Sequence, residues 1–325
     1  MKTSQLKFIK EKADILQVVK SLIPLTAKGY GKCPFHTEKS GSLKVESKKG
    51  IFKCFGCGAS GDVIDFVMKF KSITYKEAFA WIADFYRIGD FKDQAKDFVP
   101  EPVKELPVSY IKSELMQACR DKSNVNNFST WLRLHFGNRK AAMVLSLYSV
   151  GTSKHWPGAV VFWQIDYSGR IRSGKIMLYN PETGKRVKEP YNHINWVHKV
   201  LDLPDFNLKQ CFFGEHLLKF WPDKLVAIVE SEKTAIVASI FYPDQVWLAS
   251  GSLVNLTAER CEVLKGREVI LFPDVGAFPV WEEKAEYLNQ VMPDTHFAVD
   301  QSLANYTQKG FDLCDYIIDN LNHFK

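Results

Sequence analysis

The chain is 325 residues long, 46% apolar and 25% charged, the balance of an ordinary globular protein of two or three domains. No apolar run approaches the ~20 residues of a membrane span, and MKTSQLKFIKEKAD lacks the apolar core of an export signal. A membrane protein and a secreted disulfide scaffold are therefore excluded, and the expected compartment is the reducing cytoplasm. The net charge of +6 is unevenly spread. Residues 1–90 carry 16 Lys/Arg against 9 Asp/Glu, residues 139–199 carry 10 against 3, and residues 200–325 carry 10 against 19. Two basic blocks, the footprint expected for phosphate backbones, thus precede an acidic block suited to a divalent cation.

The chain opens on an amphipathic helix, LKFIKEKADILQVVKSLI, that ends near Pro24. Next comes a C-x2-H-x17-C-x2-C array, Cys33, His36, Cys54 and Cys57. Two short knuckles at this spacing close a tetrahedron of three thiolates and one imidazole around one Zn²⁺; four protein ligands leave no open position, so the zinc is structural. The remaining cysteines, Cys119, Cys211, Cys261 and Cys314, read as packing residues. SLKVES and GIFKCF read as antiparallel strands. Two helices follow, GDVIDFVMKF with Ser60 or Asp62 as cap, and SITYKEAFAWIADFYRI with a Thr74–Glu77 capping-box spacing. Phe35, Phe52 and Phe55 could stack bases, but at least two of them are expected to fill the ribbon's core.

KCPFHTEKSGSLKV followed by FKCFGCGASGDVIDFV and the flank AFAWIADFYRI resembles the zinc-binding domain of bacterial DnaG-type DNA primases. In that family the domain touches single-stranded template and helps choose where primers begin. The resemblance implies a zinc-binding domain over 1–90, a linker over 91–108 rich in proline and charge, a basic α/β subdomain over 109–220 and a last domain over 221–325.

Residues 110–135 read as helical, with Trp131 and Leu132 in the core. GAVVFWQIDYSGRIRSGKIMLYN reads as a hairpin about a Tyr-Ser-Gly turn, with Arg170, Arg172 and Lys175 after it. Alternation along a strand would put Arg170 and Arg172 on one face, where guanidinium suits phosphate; an edge kept charged against aggregation is the other reading. The stretch is similar to the basic subdomain of the primase core, and CFFGEHLL falls where the family has an aromatic–glycine segment. No G-x-x-x-x-G-K-[ST] occurs, so no P-loop helicase is fused here.

LVAIVESEKTAIVASI, VWLAS and EVILFPDVGA form a strand–helix–strand–helix–strand pattern, which predicts a parallel, helix-covered sheet. Glu230 and Asp274 end two of its strands, and ligands of such sheets bind just outside those ends. Two carboxylates brought together there need a cation or a proton between them, and oxygen ligands from one or two acids suit Mg²⁺. VESEKTA and FPDVGA resemble the Toprim fold of primases, topoisomerases and some nucleases, marked by a Glu after the first strand and Asp-x-Asp after the third. Glu230 and Asp274 match; Gly276 stands where the second Asp belongs, which puts a two-metal mechanism in doubt. A further family acid follows the next strand, HFAV; Asp312 and Asp315 are the candidates and Asp312 is assigned. Lys233 could neutralise a triphosphate or pair with Glu230, and Glu232 or Asp312 could replace the missing acid.

The fold class implied is an α+β zinc-ribbon domain followed by a mixed α/β primase core with a Toprim, Rossmann-like parallel-sheet domain. The function implied is that of a primase-type nucleotidyltransferase. It would bind single-stranded DNA and nucleoside triphosphates and make short RNA primers with catalytic Mg²⁺ or Mn²⁺ held by Glu230, Asp274 and Asp312. Arg170, Arg172, Lys175 and Lys233 would contact phosphates. The family's helicase-contacting C-terminal domain has no counterpart, which suggests a short relative carried by a mobile element, with a replicative helicase as partner in trans and no membrane. A non-catalytic single-strand-binding or replication-initiation factor on the same fold is the alternative, and Gly276 favours it. A Toprim nuclease is a third reading, which the primase-type zinc array opposes.

Overall fold

The computed structural model describes residues 13–35, 41–55, 59–71, 73–86, 107–120 and 126–321. His36, Cys57 and nearly all of the expected linker lie outside the described residues. The chain divides into two compact units, Met1–Glu105 and Leu106–Lys325.

In the first unit, helix α1 (Ile15–Leu22) starts where Asp14 accepts a hydrogen bond from Leu16 N, and it buries Ile15, Val18 and Val19, one i, i+3, i+4 face. Four short strands follow, β1 (Tyr30–Gly31), β2 (Leu43–Glu46), β3 (Ile51–Cys54) and β4 (Ser60–Gly61), paired antiparallel in chain order. Along β2, Leu43 and Val45 point inward while Lys44 and Glu46 are half-exposed, as period-two alternation requires. Helices α2 (Val63–Lys71) and α3 (Tyr75–Phe85) close the unit. Asp62 is the cap of α2, accepting from Ile64 N and Asp65 N. The Thr74–Glu77 box caps α3, with both reciprocal bonds formed. Phe52 and Phe66 are fully buried, and Phe35 packs against both. Phe55 keeps 37% of its surface exposed, so two of the three phenylalanines serve the core.

The second unit begins with α4 (Ser113–Arg120), α5 (Asn127–Phe136) and α6 (Asn138–Leu147). An antiparallel sheet follows: β5 (Gly151–Ser153), β6 (Ala159–Ile165), β7 (Ile171–Met177) and β8 (Ile194–Trp196), hydrogen-bonded in chain order. β6 is buried along its whole length, as its run of apolar residues demands. The expected hairpin is β6–β7. After the short α7 (Val197–Val200), the chain builds β9 (Leu225–Val229), α8 (Glu232–Phe241), β10 (Gln245–Ala249), α9 (Ala258–Cys261), β11 (Glu268–Leu271), α10 (Phe278–Val291), β12 (His296–Val299) and α11 (Leu313–Asp319). The four strands are parallel in the order β10-β9-β11-β12. The order reverses between β9 and β11, so the crevice outside their carboxyl ends is the natural ligand position.

The two sheets of this unit share one core, from Trp131 and Phe162 through Phe213 to Trp247 and Leu271. Phe213 and Ala249 exchange both backbone hydrogen bonds at 3.0 Å, fastening the segment before β9 to the end of β10. Among the described residues no helix is long and apolar enough to cross a membrane.

Candidate functional site

Two of the four expected zinc ligands are described. Cys33 and Cys54 are both buried. The Phe35 backbone N–H donates to Cys33 Sγ at 3.5 Å, and Ser42 Oγ lies 3.2 Å from Cys54 Sγ. Two buried thiols fit zinc; the other two expected ligands, His36 and Cys57, lie outside the described residues.

The acidic edge is assembled by three loops. Glu230 follows β9 directly, and its carbonyl accepts from Gly251 N at 2.8 Å, beyond β10. Asp274 follows β11, whose Leu271 is paired with Ile228 of β9. The loop after Asp274 is tied to the last segment of the chain: Val275 N donates to Phe311 O and Gly310 N to Val275 O. That pairing brings Asp312 alongside Asp274. Asp312 caps α11 in a reciprocal box with Asp315 and accepts from Thr234 Oγ1 of α8 at 2.6 Å.

Burial pushes the Asp274 carboxyl up to about 7, and the neighbouring Asp312, Glu230 and Asp315 push the same way. Burial also raises Glu230, against the pull of Lys175 and Arg186. Asp315 is raised by burial and by Asp312. Glu230, Asp274 and Asp312 thus lie at one edge, and Asp315 joins them there. Among the described residues no three His, Cys, Asp or Glu side chains close into a metal-ligand set on their own. The edge offers a partly desolvated anionic face, a setting that fits a cation sharing its shell with other oxygens.

The basic candidates are already engaged. Lys175 Nζ donates to both carboxylate oxygens of Glu232 at 3.0 Å. Arg170 Nε and Arg172 Nε both reach Asp166 Oδ2, at 3.1 and 2.8 Å, and both guanidinium groups lie over the Tyr110 ring. Arg170 keeps 52% of its side chain exposed; Arg172 keeps 14%. Lys233 Nζ stands 5.3 Å from the Trp131 ring centre. Burial disfavours its charge, but Cys314, Asp312 and Asp315 outweigh that and hold its pKa above the usual lysine value. Arg186, which the sequence reading missed, is exposed and works against the upward pKa shifts of Glu230 and Asp274. Its only advance signal was the basic run GKRVK.

Gly276 has φ +90°, and a Cβ there would meet Lys309 Cγ at 3.5 Å. There is room for a side chain, yet the backbone conformation is one that L residues avoid. The departure from Asp-x-Asp therefore comes with a loop shape that suits glycine.

Residues 1–97 match the family model of the CHC2 zinc finger. Residues 126–275 match a family described as Domain of unknown function (DUF6371), a span that runs from the start of α5 to just past Asp274. The DNA primase of Clostridium acetobutylicum is 44% identical over 91 residues, 26% of this chain and 15% of that protein. The DNA primase of Helicobacter pylori strain J99 is 37% identical over 114 residues, 32% of this chain and 20% of that protein. The chain thus spans no more than about a fifth of the length of these relatives. The Aquifex aeolicus primase (zinc binding and RNA polymerase domains) superposes with a TM-score of 0.36 at 16% identity, covering 98% of this chain and 84% of that one. Over its first unit the chain is similar to the zinc-finger part of bacterial DNA primases.

Proposed function

We propose that the chain is a primase-type nucleotidyltransferase that binds single-stranded DNA and joins ribonucleotides into short primers. The observation that carries this reading is the meeting of Glu230 and Asp274 at the carboxyl ends of neighbouring parallel strands, with Asp274 raised to about 7 by burial and by Asp312, Glu230 and Asp315. The CHC2 zinc finger in the first unit supports the same reading.

Cys33, His36, Cys54 and Cys57 hold the zinc, which fixes the ribbon. Glu230, Asp274 and Asp312 are the residues that would hold Mg²⁺ or Mn²⁺. Such a cation would supply positive charge to neutralise the charge that develops on phosphate oxygens. The protein's own contribution is placement. Thr234 and the capping box fix the Asp312 carboxylate. Lys175 holds Glu232, so that buried acid does not compete for the cation. Arg186 supplies an exposed positive charge beside the acids, suited to a triphosphate.

Primer synthesis on single-stranded DNA, with ribonucleotides or deoxynucleotides and either cation, tests the reading. Wild-type protein should make short products, and Glu230→Gln should make none. Equal synthesis by both proteins would remove the catalytic assignment.

A second reading is favoured by Gly276: a non-catalytic single-strand-binding factor that keeps the fold. It predicts strand binding without product under every nucleotide and cation combination.

A further inference from the structure

At one end of the antiparallel sheet, where β5 and β7 finish and β6 and β8 begin, two loops bring four rings into a row. Tyr191 stacks on His193 with centroids 4.5 Å apart and planes at 23°. His193 meets Trp156 edge-on at 5.1 Å, and Trp156 meets His155 at 4.2 Å. The inner two rings are anchored. Trp156 packs against the cluster that includes Val161, Trp163 and Ile176, while His193 is buried and bonds through its backbone N and Nδ1 to Val187 O. The outer two face solvent: Tyr191 is 55% exposed, and His155 is exposed with a hydrogen bond to Asn195.

Packing within the core explains Trp156 and His193 but not the outer rings. Tyr191 has one face on His193 and a large exposed surface, in a loop that spends no apolar burial on it. A row of rings that ends in water can be extended by another flat ring. The charges around it narrow the choice. Lys154, Lys185, Arg186 and Lys188 on these same loops are all exposed, against the exposed acids Glu182 and Glu189. Rings flanked by a cationic excess are the pattern by which proteins hold unpaired bases while tracking a phosphate backbone.

We propose that Tyr191, His193, Trp156 and His155 form a stacking platform for the bases of single-stranded nucleic acid. The strand leaves it along the 185–188 loop: Val187 is the residue that carries His193, and Arg186 beside it leads to the acidic edge. The inference rests on the nucleic-acid reading above and adds to it a second place of contact, distinct from the acids.

Fluorescence anisotropy without divalent cation separates the two. The probes are a labelled oligothymidylate of about 12 nucleotides and an abasic strand of the same length. Wild-type protein should prefer the strand with bases. Tyr191→Ala should lose about ten-fold on oligothymidylate, the scale of one base–ring stack, and nothing on the abasic strand. Its salt dependence should be unchanged, because a ring releases no counterions. Tyr191→Phe should bind as wild type, and unaltered thermal unfolding of Tyr191→Ala would show that the fold is kept. If Tyr191→Ala and His155→Ala both bind the two strands as wild type does, the platform is wrong while the nucleic-acid reading stands. If wild-type protein binds neither strand, both fall together.

Discussion

Lys175 on β7 and Glu232 at the start of α8 form a bidentate ion pair, both N–O distances 3.0 Å, with 13% and 4% of their side chains exposed. It joins the antiparallel sheet to the helix that follows β9. Breaking a buried pair from one side leaves an uncompensated charge. Lys175→Ala should therefore cost about 3–5 kcal/mol, and Glu232→Ala a similar amount. Replacing both by Met and Leu should recover most of the loss. Urea unfolding of the three variants checks this; a double variant no better than the singles would show that packing, not charge, holds this joint.

Asp166 accepts from the backbone N–H of Ser168 and Arg170 and from two guanidinium groups, while only 3% of its side chain is exposed. Burial raises its pKa, but the Arg170 backbone bond and the Arg172 pair outweigh that, and the net shift is downward. A carboxyl lowered in the folded state adds stability above its unfolded pKa and loses it as pH falls through the folded one. Wild-type protein should thus lose stability on acidification below about pH 4, and Asp166→Asn should lose less over that window. Arg172→Ala should destabilise more than Arg170→Ala, by about 1–3 kcal/mol at pH 7, since Arg170 is half in solvent. Equal losses would contradict the assignment of Arg172 as the main partner. Charge reversal of both arginines should also weaken single-strand binding at moderate salt.

The zinc array predicts about one zinc atom per chain by elemental analysis. Metal binding and folding are coupled in such modules, so Cys54→Ser or a strong chelator should open the first unit to proteolysis. Folded protein free of zinc would end this assignment.

The sequence disclosed what short-range rules govern. The Thr74–Glu77 box, the β6–β7 hairpin and the acids after β9 and β11 were all legible, because caps, turns and strand ends each depend on a few neighbouring residues. Partners brought together by the tertiary fold were not. Lys175 and Glu232 are 57 positions apart, and nothing local in either segment points to the other. The ring row joins loops about 35 residues apart for the same reason. Asp166 is different: it lies four and six residues before the arginines it holds. An Asp opening a turn followed by two arginines was a signal available in the sequence, and it would have identified their first partner as internal. By sequence Gly276 is a missing acid; its φ of +90° shows a backbone requirement that composition does not reveal.

Asp274 gives the last prediction. Its carboxyl is held at about 7, against an ordinary value of 3.8, by burial and by Asp312, Glu230 and Asp315. An acid whose pKa is raised on folding favours the folded state when protonated, so that stability is present below the unfolded pKa and is lost as pH rises through the folded one. Metal-free wild-type protein should therefore lose stability between about pH 4 and pH 7 on account of this group. Asp274→Asn, which stays neutral, should match wild type near pH 4 and exceed it at pH 8. Mg²⁺ or Mn²⁺ should reverse the difference. A cation bound only to the folded state stabilises by about 2.7 kcal/mol at a hundred times its Kd, and it competes with the proton for the same oxygens. The rise in Tm on adding either cation should thus be large at pH 8, shrink below pH 6 and be absent in Asp274→Asn. Chelation should restore the metal-free curve. A cation effect on Tm that is independent of pH, or that survives in Asp274→Asn, would place the binding site away from this edge.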